Sequence, residues 1–408
     1  MTFRKIKGLF YNIITLLLGI FVADLLFGFS VSVLNLYPKI SDFSAGAQSY
    51  HLQPHPFRSY KAAKSEKQLW VHQKDIINNK EYDYSLLQNG TITNHYGHQV
   101  LEADNRLDIV PKQDKEMRIF FTGGSTTYQP WPNLVQMELQ ALYPSIDTKI
   151  INAGAGGYTS LENMIDVTTT ASAYDPDIVV AYLPINDIYW VTAYEDDWIA
   201  HDYSHMRTEF RWKNLETKPK PERLLDISYP FLAAFISDWI EAKRLDEYFA
   251  ERKLSHSVYV DGWSFDPSRA TKAKVDVMVQ IIARNIFLMH SFCKFQGCKF
   301  IFLTQKMFGY KGFADSEYTP LTEQVIERIM TQIPEEITVL KLDEIFPDKW
   351  TKDDIKLVEL WYAERGKQPA KDFTTQFSYD DMHFSPEALV LLAKKLTPEI
   401  AKYGRLYQ

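Results

Sequence analysis

From residue 117 onward the chain alternates short apolar runs with segments of helical periodicity, and this pattern admits few architectures. Residues 117–121, 148–152, 177–183, 298–304 and 337–342 are strand-length runs rich in apolar and β-branched side chains. Such runs suit strands buried on both faces. Helical patterns lie between or after them, over about 133–143, 161–172, 268–295 and 321–333, and a last one starts at Pro386 and reaches about Tyr403. Strands alternating with helices in this way predict a parallel sheet covered on both sides. The expectation is a three-layer α/β/α domain with a five-stranded parallel sheet. The stretch from the fifth strand to about Phe377 reads as a polar loop.

The loops after the strands carry the chemistry. Gly123 and Gly124 break the first strand and Ser125 follows at once. A Ser on a tight turn between a buried strand and a helix exposes its hydroxyl at the sheet's carboxyl edge, where open α/β sheets bind ligands. Paired glycines permit close backbone approach and unusual φ angles. The same stretch also reads as an ordinary βα loop with a capping Ser. A hydroxyl nucleophile needs a base, and the base an orienting group. His383 stands just before a helix marked by Ser385 at the N-cap and Pro386 at the first helical position. Asp380, three residues ahead, is close enough for its carboxylate to reach the imidazole Nδ1–H while Nε2 faces outward. The alternative is a solvated Asp-Asp-Met-His loop that only caps the helix. Acyl transfer also needs donors aimed at a developing oxyanion. The candidates are the N–H of Ser125, that of Gly157 in the loop Asn152-Ala-Gly-Ala-Gly-Gly157, and the side-chain amide of Asn186 after the third strand. Asn152 and Gly154 are assigned to turn structure.

These residues resemble a known family. Gly123-Gly-Ser125, Asn152-Ala-Gly-Ala-Gly-Gly157, Pro184-Ile-Asn186-Asp187 and Asp380-Asp-Met-His383 are similar, in order and context, to the four sequence blocks of the SGNH/GDSL hydrolases. The resemblance covers about 117–183 and 298–403. It implies a flavodoxin-like fold and a serine esterase without a cofactor. Ser125 would be the nucleophile, His383 the base and Asp380 its orienter. The N–H groups of Ser125 and Gly157 and the Asn186 amide would form the oxyanion hole. Anchored relatives often act on O-acylated glycans, so the implied substrate is an O-acyl group, acetyl above all, on an extracytoplasmic polysaccharide. Two positions depart from the pattern. Gly124 replaces an Asp and Pro184 replaces a Gly. Proline fixes φ and removes a donor, so the Asn186 loop is expected to sit differently. Two rivals stay open: an acyltransferase that passes the acyl group to a sugar hydroxyl, and a non-catalytic glycan-binding or assembly protein on the same fold.

The flanking segments bear on location. Residues 1–8 carry Arg4, Lys5 and Lys7 and no acid, and in residues 9–37 the only ionisable side chains are Asp24 and two Tyr. That run exceeds the ~20 residues that cross a bilayer as a helix, and the early cations place the amino terminus in the cytoplasm. A single-pass transmembrane signal anchor is expected, with the rest of the chain outside the inner membrane or in a lumen. A cleaved signal peptide is the alternative, but its apolar region should run about 7–15 residues, and Ala45-Gly-Ala47 lies well past this one. Residues 38–113 read as an approach arm of short strands and irregular structure, with a glycosylation sequon at Asn89-Gly-Thr91. The hydrolase-like domain spans 114–408, interrupted by a charged and aromatic insert, 191–267, expected to form a helical cap over the strand ends. His201 and His205 have i, i+4 spacing, yet no third ligand is evident and no metal is expected. Cys293 and Cys298 read as buried thiols, or as a local disulfide if this part of the chain leaves the cytosol. A net charge of −7 without a run of like charge speaks against nucleic acid. The expected partners are an ester substrate, the acylated glycan foremost, and the lipid bilayer.

Overall fold

The computed structural model describes residues 19, 20, 22, 23, 52–54, 60–62, 72–74, 81–87, 90–104, 106–193, 268, 270–308, 318–378 and 382–404. Most of the expected anchor, the cap beyond Ala193, Asn89 of the sequon, His201, His205 and Asp380 lie outside the described residues. Of the anchor, Gly19, Ile20, Val22 and Ala23 are described, and they are helical and exposed. The chain divides into two compact units, Met1–Ser49 with Thr208–Trp263 and Tyr50–Arg207 with Ser264–Gln408. The sheet and the helices that cover it lie in the second.

Two short antiparallel hairpins come first, β1 (Leu52–Pro54) with β2 (Tyr60–Ala62) and β3 (His72–Lys74) with β4 (Glu81–Asp83). The main sheet holds β5 (Thr91–Thr93), β6 (Gln99–Leu101), β7 (Glu116–Gly123), β8 (Asp147–Asn152), β9 (Ile178–Leu183), β10 (Lys299–Thr304) and β11 (Thr338–Lys341). Its seven strands lie in the order β11-β10-β9-β7-β8-β6-β5. The five from β7 to β11 are parallel. Their order reverses between β7 and β9, the kind of point at whose carboxyl edge doubly wound sheets open a crevice.

The expected five-stranded parallel sheet is thus a seven-stranded mixed one. The antiparallel hairpin β5–β6 adds to β8 through the pair Gln99↔Asn152, so residues 91–101 belong to the sheet. Strands of three residues are too short to show a period. Their turn is built locally: Asn94 Oδ1 accepts the N–H groups of Tyr96 (3.0 Å) and His98 (3.1 Å), and Gly97 takes φ +87°. Buried His98 then ties the hairpin inward, with Nε2 3.0 Å from Asp166 Oδ2 and Nδ1 3.0 Å from the Tyr174 hydroxyl.

Every residue of β7 and β9 is buried, as their apolar runs require. Alternation sends Ile119, Phe121, Val180 and Tyr182 into one cluster with Trp131 and Leu134 of a helix, Trp131–Leu142, and with Leu389, Leu392 and Leu396 of the last helix, Pro386–Ala401. Phe120, Val179 and Ala181 point the other way and are equally buried. In a second helix pair, Ser160–Thr169 packs on Lys272–Gln296. Lys272–Gln296 is the one described helix long and apolar enough to cross a membrane, but half of that stretch is buried against the protein. It also packs on β10, which makes it a core helix. Cys293, in its last turn, and Cys298, just beyond it, are free and buried.

The stretch expected to be a polar loop contains a helix, Lys352–Ala363. Thr351 and Asp354 form a reciprocal capping box, and Val358 and Trp361 are buried. That box, followed by Ile355 and Val358, was the readable signal.

Candidate active site

The site is built where β7, β8 and β9 end. Label the helices in chain order: α1 (Ser125–Tyr128), α2 (Trp131–Leu142), α3 (Ser160–Thr169) and α4 (Ile185–Ala193). Next come α5 (Lys272–Gln296), α6 (Thr319–Met330), α7 (Leu342–Ile345), α8 (Lys352–Ala363) and α9 (Pro386–Ala401). Ser125 is the first residue of the single turn α1. Neither preceding glycine has positive φ, so both serve by lacking a side chain. A Cβ on Gly123 would strike Thr127 Oγ1 and come 2.8 Å from the Tyr182 carbonyl. A Cβ on Gly124 would strike Asn186 Nδ2. The Asn186 amide therefore occupies the space that a side chain at 124 would need.

Ser125 Oγ lies 2.6 Å from His383 Nε2, a contact between residues 258 apart in the chain. As whole residues both are buried, Ser125 at 8% accessible and His383 at 5%. The His383 loop folds back as a bridge between Ser378 and Phe384, with Ser385 N–H donating to Phe377 O at 2.8 Å. Ser385 caps α9 through Ala388 N–H (3.3 Å) with Pro386 in its first turn, as expected.

The second loop brings Gly157, at φ +77°. Asn152 and Gly154, assigned to turn structure, also brace the serine turn. Asn152 Oδ1 accepts Gly154 N–H at 3.0 Å, and its Nδ2 donates to Thr127 O at 2.9 Å. Gly154 packs so closely on α1 that a Cβ would lie 2.5 Å from Tyr128 N. The third loop opens with a cis Leu183–Pro184 bond, after which α4 carries Asn186. Asn186 Nδ2 donates to Tyr158 O at 2.8 Å and lies over Gly124. The three loops thus converge even with Pro184 in place. The N–H groups of Ser125 and Gly157 meet no acceptor among the described residues. Asn186 has a second amide hydrogen beyond the one given to Tyr158. These are the donors an oxyanion would need.

Sequence reasoning missed the residues that lock the loops together. Gln305, at the end of β10, donates from Nε2 to Thr126 Oγ1 (2.8 Å) and accepts the Ile185 N–H on Oε1. Asp187 accepts Ser160 N–H (3.0 Å) and Ser160 Oγ–H (2.6 Å), capping α3 from α4. No local signal marks Gln305, and Asp187 stands in the third of the four blocks with nothing local to show this role. The capping box of Thr159 and Glu162, by contrast, is legible as a Thr-x-x-Glu pattern.

Burial pushes the Glu162 carboxyl up from its ordinary 4.5 to about 7, against the lowering effect of the hydrogen bonds from Thr159. A raised acid pKa means the folded state holds a proton the unfolded chain has lost. The associated stability is complete below pH 4.5 and is lost as pH rises through 7. Glu162→Gln should flatten that slope and gain roughly 3 kcal/mol over the native chain at pH 8. Urea melts at pH 4, 6 and 8 check this; parallel curves for the two proteins would place the slope elsewhere.

No family model and no curated protein sequence matches the chain. Among solved structures it is similar to a GDSL-like lipase from Bacteroides thetaiotaomicron, at 10% identity over 74% of this chain and 96% of the other, with a TM-score of 0.36. It is also similar to Axe2, an acetyl xylan esterase from Geobacillus stearothermophilus, at 14% identity over 70% of this chain and 94% of the other, with a TM-score of 0.36. Likeness at this level is one of outline, and the reading of the site rests on the chain's own residues.

Proposed function

We propose that this chain is a serine esterase of the SGNH/GDSL kind, held at a membrane by its amino-terminal run and acting outside the cytoplasm on O-acyl, chiefly O-acetyl, groups of glycans. The observation that carries the reading is the 2.6 Å contact between Ser125 Oγ and His383 Nε2, beside N–H groups at Ser125 and Gly157 that meet no acceptor among the described residues. An alcohol is a poor nucleophile until a neighbouring base takes its proton. In this reading His383 Nε2 accepts the Ser125 proton as Oγ bonds to the ester carbonyl carbon. The carbonyl oxygen becomes an oxyanion, met by the N–H groups of Ser125 and Gly157 and the Asn186 amide. Collapse of the adduct breaks the bond to the sugar oxygen, which leaves as a free hydroxyl with the proton taken from His383. Water, deprotonated by His383, then attacks the acyl-serine, and collapse of this second adduct releases the carboxylic acid as His383 returns the proton to Ser125 Oγ. Asp380, three residues before His383, is assigned the task of orienting the imidazole. The glycan substrate and the location rest on the family resemblance and on the apolar residues 9–37.

The test is an acyl-donor screen with the purified protein, from acetyl to long-chain aryl esters and an O-acetylated polysaccharide. Rapid turnover of short esters and release of free acetate are expected. Acetyl appearing on an added sugar in place of free acetate would establish the transferase. Folded protein that cleaves no ester and takes no fluorophosphonate label would establish the glycan-binding reading.

A further inference from the structure

We propose that Gln129 is a positioning residue that sets the distance between Ser125 and His383; this rests on reading that pair as nucleophile and base. Ser125 opens the single turn α1 and Gln129 closes it, its backbone N–H donating to Ser125 O at 3.2 Å. The Gln129 side chain is fully buried and points at the histidine loop. Its Nε2 donates to Phe384 O at 2.9 Å, and its Oε1 accepts the Phe384 N–H at 3.0 Å. That N–H belongs to the peptide unit joining His383 to Phe384, so the bond orients the plane from which the imidazole is carried. Phe384 O also accepts the hydroxyl of buried Tyr84 at 2.7 Å. A closed ring of contacts results. It runs from Ser125 Oγ to His383 Nε2, along the backbone to Phe384, across to Gln129, and back through one helical turn to Ser125. The span between nucleophile and base is then set by a rigid turn and one planar amide, both in the core. An apolar side chain would fill the space, but it would take the acceptor from the buried Phe384 N–H and leave Phe384 O with the Tyr84 hydroxyl alone, and buried backbone groups are costly to leave unpaired.

The experiment compares Gln129→Met and Gln129→Glu with the native chain, using a short aryl ester and a fluorophosphonate, after circular dichroism has established folding. Gln129→Met should lose about 10²-fold in kcat at every pH with KM unchanged, the cost of a misplacement near 1 Å. Its labelling rate should fall by the same factor. An ionised Glu cannot donate to Phe384 O, whereas a protonated one offers a donor and an acceptor as the amide does. Burial raises such a pKa. The ratio of Gln129→Glu to native kcat should therefore be as low as that of Gln129→Met at pH 9 and climb about tenfold toward pH 6. Taking the ratio removes the titration of His383 common to both proteins. A ratio flat in pH, or a Gln129→Met kcat within about twofold of native, would overturn the assignment. Should Gln129→Met fail to fold, the pH series of Gln129→Glu decides alone. One readout needs no turnover. The imidazole ¹⁵N signals of His383, identified by their loss in His383→Ala, should respond to Ser125→Ala in the native background and not in Gln129→Glu at pH 9. Equal responses would refute the proposal. An inactive native protein, by contrast, would count against the esterase reading and leave this measurement standing.

Discussion

Ser125→Ala and His383→Ala should each cost on the order of 10⁶ in kcat for ester hydrolysis, and the double variant should cost little more. The two side chains meet at 2.6 Å, within hydrogen-bond distance. Removing the hydroxyl leaves the base with nothing to deprotonate, and removing the imidazole leaves an unactivated alcohol. Their effects therefore do not add. Labelling by a fluorophosphonate should vanish in both single variants and, in the native chain, fall on Ser125 and not on Thr126 or Thr127. Asp380→Ala should lose far more kcat than Asp381→Ala, because the i−3 position matches the Asp-x-x-His block of the family the sequence resembles. Steady-state kinetics on the four single variants and the double checks the whole set. Additive losses from Ser125 and His383, or a loss at Asp381 equal to or larger than that at Asp380, would break the assignment of roles.

Asn186→Ala should lower kcat by about 10²–10³ while labelling continues more slowly, the usual result of deleting one oxyanion donor. The structure adds a sharper form of this expectation. A methyl group at position 124 would fall on Asn186 Nδ2 and push the amide away from Ser125. Gly124→Ala should therefore imitate Asn186→Ala, with the same loss within a few-fold. Once the amide is gone the methyl group has room, so Gly124→Ala combined with Asn186→Ala should be no worse than either alone. Residues in contact are where such non-additivity is expected. Losses that multiply would mean that Gly124 acts through some other neighbour, and a Gly124→Ala enzyme with native kcat would remove Asn186 from the oxyanion hole.

The sequence by itself determined the parallel part of the sheet, the helices between its strands, and the cap that places His383 just ahead of α9. All of these rest on local physics: apolar runs of strand length, helical periodicity, and a Ser-Pro pair at a helix start. The loop ends bearing Ser125, Gly157 and Asn186 were legible for the same reason, since a strand's end positions whatever follows it. Helix α8 is equally local, marked by its Thr351–Asp354 box. What the tertiary structure decided is of another kind. The hairpin at 91–101 joins the sheet because Asn94, His98 and Gln99 find partners far along the chain. Of the two uses of a glycine at 124, close approach and not an unusual φ is the one found, and only the position of the Asn186 amide reveals it. Gln129, Gln305 and Asp187 hold the site through side-chain bonds to residues 255, 179 and 27 positions away. Such bonds depend on where two stretches of backbone meet, and a hydrogen bond between distant residues leaves no period or spacing in the sequence that encodes it.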